Sequence, residues 1–461
     1  MNERTVSLDQ LRVKIQPRAV RGVFARWRWA MVWLTQLVFL GLPWLNWDGR
    51  PAVLFDIEGR RFLLFAAVLH LQDFIYLTGF LVIAAMSIFL VTAVAGRLWC
   101  GYACPQTVYT KIFMWIEHVV EGDRPSRIKL DRAPMSARKL GLRGGKHLIW
   151  GLVALFIGVS FVGYFSGIRP LIGHLAAFDA GPWEVFWVGA YALITYGNAG
   201  LMREQVCKVV CPYARIQSAL IDDDTLVITY DVQRGDPRGA RSKKVDPRTA
   251  GLGDCVDCSA CVQVCPTGID IRNGLQNECI GCAACIDACD GVMDRVGYAR
   301  GLIRYDTASG VRNLRSRADL FRHLARPRVL AYTALLVALV AALSIHLSMR
   351  PTLKLDVARD RGVLGREVED GLVENVYSLQ VENLGSVPHR LQVSVDGLPG
   401  AFIASEDRVA APAQDVVRIV VRVRDTHDAA RAGANPITLR VEALDDRALV
   451  AREKSTFYMP R

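Results

Sequence analysis

Long apolar runs alternate with polar, basic segments through the first three quarters of this chain. A run of about 20 apolar residues is long enough to cross a bilayer as a helix. Five such runs extend over about Trp29–Trp47, Phe74–Ala95, His147–Phe165, Trp183–Leu201 and Val329–Leu347. The stretch Phe62–Leu71 is too short to cross, so we expect it to be interfacial or re-entrant; if it crossed, the count would be six. The pattern predicts a polytopic α-helical membrane protein with about five spans.

The end of the chain, residues 349–461, has a different pattern. Tyr377, Leu379 and Val381 alternate with polar residues, and similar alternation recurs over 391–395, 417–423 and 437–441. Turn-forming residues separate these runs. Alternation with a period of two over short runs predicts a small β-sandwich of immunoglobulin-like form. No residue in it looks catalytic, so we expect this domain to serve in docking or stability.

Basic residues predict how the spans are oriented. Seven precede the first span: Arg4, Arg12, Lys14, Arg18, Arg21, Arg26 and Arg28. The 97–147 loop is also rich in lysine and arginine, whereas the 166–182 loop holds only Arg169. Positive loops favour the cytoplasm. We therefore expect a multi-pass protein of the bacterial inner membrane, with the N-terminus, the 97–147 loop and the 202–328 segment inside and the C-terminal domain periplasmic.

The formal charge of +11 is better explained by membrane orientation than by nucleic-acid binding. No binding module with interleaved basic and aromatic residues is present in the sequence. No signal peptide is evident, since the first apolar run is long and follows an extended polar segment. The expected organisation is a basic cytoplasmic segment 1–28, a four-span membrane domain 29–220, a cytoplasmic linker 221–254, a ferredoxin-like domain 255–328, a fifth transmembrane helix 329–348 and a periplasmic immunoglobulin-like domain 349–461.

Eight of the twelve cysteines form two copies of the spacing C-x2-C-x2-C-x3-C. In bacterial ferredoxins, three thiolates of one run hold a [4Fe–4S] cube and the fourth reaches the other cube. One predicted cluster set is Cys255, Cys258, Cys261 and Cys289, and the other is Cys279, Cys282, Cys285 and Cys265. Zinc sites usually pair cysteines across a long spacer, and disulfide frameworks suit short secreted chains. Both alternatives fit this spacing less well, so the chain is predicted to carry electrons.

The other four cysteines form a second repeat beside two predicted spans. The pairs are Cys100 and Cys104 before Pro105, and Cys207 and Cys211 before Pro212. The i, i+4 spacing predicts that the sulfurs of a pair share one helical face, and each proline is expected to start a new helix. Four thiols at one membrane depth can bind Cu(I), zinc or a further iron–sulfur cluster. The alternative is four buried, unligated thiols, which the duplication of the motif disfavours.

A few ionisable residues near the predicted membrane boundaries are further candidates. They are His70, Asp73, His118, His147 and His174. Ionisable groups at such positions can serve a quinone or hold copper, although most boundary histidines are simply interfacial. The acidic run 222–224 is expected to form a solvated turn or helix end, with weak metal binding as the alternative.

Several long stretches resemble a known family. They are residues 96–110, 207–215, 224–226, 229–231, 265–276, 278–290 and 301–307. Together they make the chain similar to the cytochrome c oxidase accessory protein CcoG family, also called FixG or RdxA. The resemblance covers nearly the whole chain, including the five-span layout and the immunoglobulin-like domain.

The resemblance implies a role in assembling cbb3-type cytochrome oxidase by reducing Cu(II) to Cu(I). It implies two [4Fe–4S] clusters on the eight cysteines and copper at Cys100, Cys104, Cys207 and Cys211 as catalytic and metal-binding residues. Expected partners are oxidase assembly factors, copper transporters or chaperones, membrane lipid and an electron donor that the sequence does not identify, with a homodimer left open. The alternatives are a quinol dehydrogenase feeding an exported reductase, and a non-enzymatic assembly scaffold or redox sensor.

Overall fold

The computed structural model describes residues 15–70, 73–241, 251–313, 325–360, 362, 365–368, 371–385, 387–426 and 431–460. The chain divides into two compact units, Met1–Ala341 and Ala342–Arg461. Each unit has its own hydrophobic core. Arg4, Arg12, Lys14 and parts of the predicted linker and ferredoxin-like domain lie outside the described residues.

The first unit consists mainly of helices. Those on the membrane side are α1 (Val23–Gly41), α2 (Phe74–Ala95), α3 (Leu98–Tyr102), α4 (Pro105–Glu121), α5 (Arg124–Arg132), α6 (Ala137–Ser166), α7 (Ile168–Ala176), α8 (Pro182–Thr195) and α9 (Pro212–Leu220). After α8 the chain continues in two π-helical turns, Tyr196–Met202 and Val206–Val210. The last long helix, α14, is Pro327–Ser348.

Four helical segments among the described residues are long and apolar enough to cross a membrane. They are Phe74–Ala95, Ala137–Ser166, Pro182–Met202 and Pro327–Ser348, and they coincide with four of the five predicted spans. The predicted first span is displaced: α1 begins at Val23 and a 3₁₀ turn, Leu42–Trp44, follows Gly41. Arg26, Arg28 and Gln36 make α1 less apolar than the other four, so its crossing stays a prediction.

The described part of the Phe62–Leu71 stretch, residues 62–70, consists of strands and a turn. After the short pair β1 (Asn46–Trp47) and β2 (Arg50–Pro51), an antiparallel meander follows: β3 (Val53–Asp56), β4 (Arg61–Leu64) and β5 (Ala67–His70). The first turn is stabilised where the Gly59 N–H donates to Asp56 Oδ1 at 2.8 Å. Because strand residues rise far more per residue than helix residues and pair with neighbours, this apolar stretch is a small sheet. The alternative of a sixth helical span is therefore wrong for the described residues.

The helices pack through small residues and aromatic rings. At Gly158 of α6, a Cβ atom would lie 2.6 Å from the carbonyl oxygen of Val188, so α6 and α8 approach too closely for any larger residue. Phe113 of α4 stacks on Trp150 of α6 with ring centroids 5.3 Å apart. The Trp150 indole donates to the Phe113 carbonyl at 3.1 Å. These contacts fix α4, which carries much of the candidate site.

The cysteine-rich region is built from short elements. They are β6 (Val227–Tyr230), α10 (Val232–Gly235), α11 (Ala260–Gln263), a 3₁₀ turn (Ile271–Asn273), α12 (Ala284–Val296), β7 (Ile303–Asp306) and α13 (Ala308–Asn313). β6 and β7 pair antiparallel. The residues before α11 and α12, Ser259 and Ala283, have φ angles of 54° and 58°. Each lies between the second and third cysteine of its run, so the sequence repeat is also a backbone repeat.

The second unit is a β-sandwich. Its strands are β8 (Leu353–Arg359), β9 (Arg366–Val368), β10 (Leu372–Asn383), β11 (His389–Asp396), β12 (Phe402–Ile403), β13 (Arg408–Ala411), β14 (Asp415–Thr426), β15 (Gly433–Ala443) and β16 (Val450–Met459). One sheet has the order β12–β14–β10–β8, with β9 also on β10, and the other has β13–β11–β15–β16. The predicted inward residues Tyr377, Leu379 and Val381 are fully buried. The predicted sandwich is confirmed.

Candidate functional site

The two cysteine runs of the first unit surround two separate cavities. Cys255, Cys258, Cys261 and Cys289 line the first. Cys265, Cys279, Cys282 and Cys285 line the second, together with Cys261, which borders both. This is the grouping that the spacing predicts, with the last cysteine of each run reaching the other run's cavity. Their identity as cluster ligands stays a prediction.

The chemistry of each cavity fits an iron–sulfur cube. The remaining lining residues are largely apolar, and no carboxylate lines either cavity among the described residues. No three histidine, cysteine or acidic side chains in the described part of the chain are grouped closely enough to hold a single metal ion. Sulfur donors arranged around a largely apolar cavity suit a group held by thiolates. When bound, a [4Fe–4S] cluster supplies a one-electron carrier.

Burial raises the pKa of several cysteine thiols in these two sets. Burial raises the pKa of the Cys261 thiol to about 11 and those of Cys279 and Cys289 to about 12. It also raises the pKa of Cys285 well above its ordinary value. Because metal groups bind thiolates, loading either set must release protons.

The four membrane-side cysteines lie at breaks between helices. Cys100 is in α3, and Cys104 follows the end of that helix and caps α4. Cys207 is in a π-helical turn, and Cys211 caps α9. The prediction that each pair shares one continuous helical face is therefore wrong. The prediction that Pro105 and Pro212 begin new helices is confirmed.

The structure nevertheless brings the four membrane-side thiols together. Burial, together with the nearby Cys104, Cys100 and Cys211 thiols, raises the pKa of the Cys207 thiol to about 12. Burial likewise raises the pKa of Cys100 to about 11, with a contribution from Cys104. The Cys100 thiol donates to Gln217 Oε1 at 3.4 Å, while the Gln217 amide donates to the Gly96 carbonyl at 3.0 Å. One buried glutamine of α9 thus orients a thiol of α3.

The membrane-side thiols are packed against the second cluster set. At Gly101, between Cys100 and Cys104, a Cβ atom would lie 2.8 Å from the Gly281 carbonyl oxygen and 2.9 Å from Cys282 Cα. Cys100 and Cys207 pack against the apolar cluster that contains Cys282. Only glycine at 101 permits this contact, which places the two thiol groups next to each other.

Arg97 ties the same regions together. Its guanidinium donates to the Cys279 carbonyl at 3.1 Å, to the Asn277 carbonyl, and to the Ala214 carbonyl of α9 at 3.0 Å. Arg97 is buried and stands three residues before Cys100. One side chain therefore holds the segment 277–279 at the start of the second cysteine run, the second cluster loop, against both membrane-side thiol motifs.

Asp287 fastens the cysteine-rich region to the first helix. It lies on α12 between Cys285 and Cys289, and its carboxylate accepts the backbone N–H groups of Phe24 at 3.1 Å and Ala25 at 2.7 Å. These are the orphan donors at the start of α1. Arg28 also lies 3.9 Å from the Asp287 carboxylate. Asp287 acts as an N-cap supplied from 262 residues away.

Substituting Asp287→Ala is expected to loosen the start of α1. Losing a helix cap typically costs about 1 kcal/mol, so backbone amides of residues 23–28 should exchange with deuterium roughly fivefold faster. Hydrogen exchange with mass spectrometry measures this. Asp294→Ala is the control, because Asp294 is an exposed residue of the same helix paired only with Arg300 at 2.7 Å. Equal protection of residues 23–28 in both variants would contradict the capping role.

The histidine candidates do not gather at the thiols. His147 contacts Tyr196 at 2.8 Å, His174 lies 3.6 Å from Glu184, and His118 lies 3.2 Å from Asp123. His70 ends strand β5, where its N–H donates to Asp73 at 3.0 Å. His118 alone among them borders a large cavity that also reaches Cys207.

The acidic run 222–224 forms a hydrogen-bonded turn, and the expectation of a turn is confirmed. Asp222 accepts from the Thr225 hydroxyl at 2.7 Å and from Arg326 at 2.8 Å. Ser309 donates to Asp224, and Arg312 pairs with Asp223. These side chains are engaged by the chain itself.

The sequence analysis missed Arg97, Gln217 and Asp287 as functional residues. Each contacts a partner more than 100 positions away, so no local spacing reveals it. The usable signal was position: Arg97 is beside a cysteine motif, and Asp287 is inside one.

Family models match the regions that carry these sites. A model described as a 4Fe-4S dicluster domain matches residues 202–308, and one described as a 4Fe-4S binding domain matches 77–121. A model described as the IG-like fold at the C-terminal of FixG matches 343–460. Cysteine-lined cavities, these matches and four apolar helices define a membrane-associated iron–sulfur electron-transfer protein.

The chain belongs to the FixG/RdxA family. It is 38% identical over 448 residues to Protein RdxA of Cereibacter sphaeroides, covering 94% of each chain. It is 40% identical over 425 residues to Nitrogen fixation protein FixG of Rhizobium meliloti, covering 86% of this chain and 81% of that protein. A crystal structure of a FixG-related protein from Vibrio parahaemolyticus aligns with 24% of this chain and 99% of its own, at 18% identity and a TM-score of 0.22.

Proposed function

We propose that this protein reduces Cu(II) to Cu(I) at its membrane-side thiols during assembly of a cbb3-type cytochrome oxidase. The observation that carries the proposal is the packing of Cys100 and Cys207 against the apolar cluster that contains Cys282 of the second cluster set. A soft-ligand site next to an electron-carrying site is what a metal-ion reductase needs.

The ligand chemistry supports copper as the substrate. Thiolates favour Cu(I) over Cu(II), and two thiolates suffice for Cu(I), so the absence of a three-ligand grouping in the described residues is no obstacle. For a one-electron couple, each tenfold preference for Cu(I) makes reduction easier by about 59 mV. Binding copper displaces the protons that burial keeps on Cys100 and Cys207.

The chain's own residues hold this substrate site in place. Gln217 directs the Cys100 thiol, Arg97 fixes the second cluster loop, and the non-helical residues Cys104 and Cys211 turn the backbone toward the same place. The basic loops place this site on the cytoplasmic side in our proposal, with the β-sandwich periplasmic. Oxidase assembly factors and copper chaperones or transporters are the proposed partners.

Anaerobic copper reduction by purified full-length protein tests the proposal. Protein reduced with dithionite and freed of excess reductant should convert added Cu(II) to Cu(I), detected with a Cu(I)-specific chromophoric chelator. Protein stripped of iron should not. A scaffold would give no Cu(I) from either preparation, and this result would refute the proposed reaction.

A further inference from the structure

A cavity of about 350 Å³ lies where the first helix, α4 and the second cluster loop meet. Pockets of this size accept a small ring-shaped molecule. Thr107, Lys111, Met114 and Trp115 of α4 line it, and so does Trp29 of α1, whose ring packs edge-to-face on Trp115 with centroids 6.1 Å apart. The candidate function described above does not use this cavity.

Two candidate redox cysteines line this cavity. They are Cys207 of the membrane-side motif and Cys282 of the second cluster set. Trp115 also lines it, and the Trp115 side chain is 51% exposed. A molecule bound there would therefore lie beside residues of both candidate electron-transfer sites.

The walls combine aromatic and apolar surface with cations that are mostly paired or exposed. Of the six arginine and lysine residues that line the cavity, Arg127 and Arg203 each lie 3.0 Å from Glu117 and Arg28 lies 3.9 Å from Asp287. Arg18 and Arg21 are exposed, and the sixth is Lys111. The remaining surface includes two tryptophans and a methionine, which pack well on flat rings.

The cavity also has groups that can take up protons. Burial lowers the pKa of Lys111 to about 8, and its Nζ lies 5.3 Å from the Trp29 ring centroid. Burial raises the pKa of the Glu204 carboxyl group, which lines the same cavity. A ligand that loses protons on oxidation would find acceptors here.

We propose that this cavity binds a membrane hydroquinone, which donates the electrons that reach copper. The inference rests on the electron-transfer part of the proposed function and names its donor. Oxidation of one hydroquinone to quinone breaks two O–H bonds and releases two protons and two electrons. Iron–sulfur clusters held by the two cysteine sets would be the one-electron acceptors, one electron for each set, and two Cu(II) ions would be the final acceptors.

A steric substitution with a matched control tests the site. Met114→Trp fills the cavity from α4, whereas Val119→Trp places the same side chain on the exposed surface of that helix, where Val119 is 63% exposed. The probe is decylubiquinol, added anaerobically to full-length protein in lipid nanodiscs. We expect it to bleach the visible iron–sulfur absorbance of the wild type and of Val119→Trp, and to act roughly tenfold or more slowly on Met114→Trp.

A second measurement does not depend on electron transfer or on a variant. Photolabelling of the wild-type protein with an azido-quinone, followed by peptide mapping, should mark peptides of α4 or α1. Excess decylubiquinone should suppress the label. Labelling of other peptides would overturn the hydroquinone site. The site would also be overturned if the only ligand that Met114→Trp loses is a phospholipid that co-purifies with the wild type.

Dithionite separates this inference from the proposed function. With dithionite as donor, Met114→Trp should reduce Cu(II) as fast as the wild type. If decylubiquinol fails to reduce wild-type protein that dithionite reduces, the hydroquinone site is refuted and copper reduction stands. If hydroquinone reduces the protein but Cu(II) is untouched, copper reduction is refuted and the site stands.

Discussion

Replacing Cys207 with serine is expected to lower the rate of Cu(II) reduction by at least roughly tenfold and to weaken copper binding comparably. The reason is that serine removes a soft ligand from the group formed by Cys100, Cys104, Cys207 and Cys211. Iron content and visible absorbance should be unchanged, because Cys207 lines neither of the two cluster cavities. Anaerobic Cu(I) chelation and competition titrations measure the two effects.

Val209→Ser is the control for this substitution. It introduces the same side chain two residues away, at an exposed position. Val209 lines neither of the two cluster cavities nor the cavity that Cys207 lines. Copper reduction at the wild-type rate in Cys207→Ser, with full iron content, would remove the membrane-side thiols from the reaction. Equal losses in both variants would indicate general damage to the segment.

Replacing the last cysteine of either run, which lines the cavity of the other run, should remove one cluster and spare the other. Cys289→Ser opens the cavity lined by Cys255, Cys258 and Cys261, and Cys265→Ser opens the cavity lined by Cys279, Cys282 and Cys285. Because each cube needs four thiolates and contains four irons, iron should fall from about eight to about four per chain in each variant. Metal analysis and EPR of the reduced protein measure this.

The two variants should differ in copper reduction. Cys100 and Cys207 pack against the apolar cluster that contains Cys282, so Cys265→Ser should stop copper reduction. Cys289→Ser should keep part of it, because the set next to the thiols remains complete. Asp294→Ser, which places serine on the exposed face of the same helix as Cys289, should behave as wild type. Loss of all iron in both variants would show that the two sets form one cooperative unit.

Much of the fold was predictable because it follows from periodicity. Apolar runs located four membrane helices, and alternation located the sandwich strands. The ferredoxin spacing also predicted which cysteines share a cavity, since the chain crosses between two short helical repeats. These features depend on residues close together in sequence or on a motif whose geometry is general.

The failures have equally specific causes. The shared helical face of each cysteine pair assumed a continuous helix, yet a residue before proline is driven out of the helical conformation. Cys104 and Cys211 accordingly have ψ angles of 127° and 111°. The meander over 53–70 was not predicted because its apolar run is short. A short apolar run is equally consistent with strands and with a segment at the membrane interface. Contacts such as Arg97 to Cys279 span the chain and leave no local pattern.

Asp287 lies two residues from a ligand candidate of each cube, and its carboxylate also caps the first helix. We therefore expect loading of iron and sulfide to support the anchoring of the amino-terminal helix. In iron-starved cells, newly made chains should leave that helix unmoored and open to proteolysis. Quality control of the unfinished protein would then need no separate sensor.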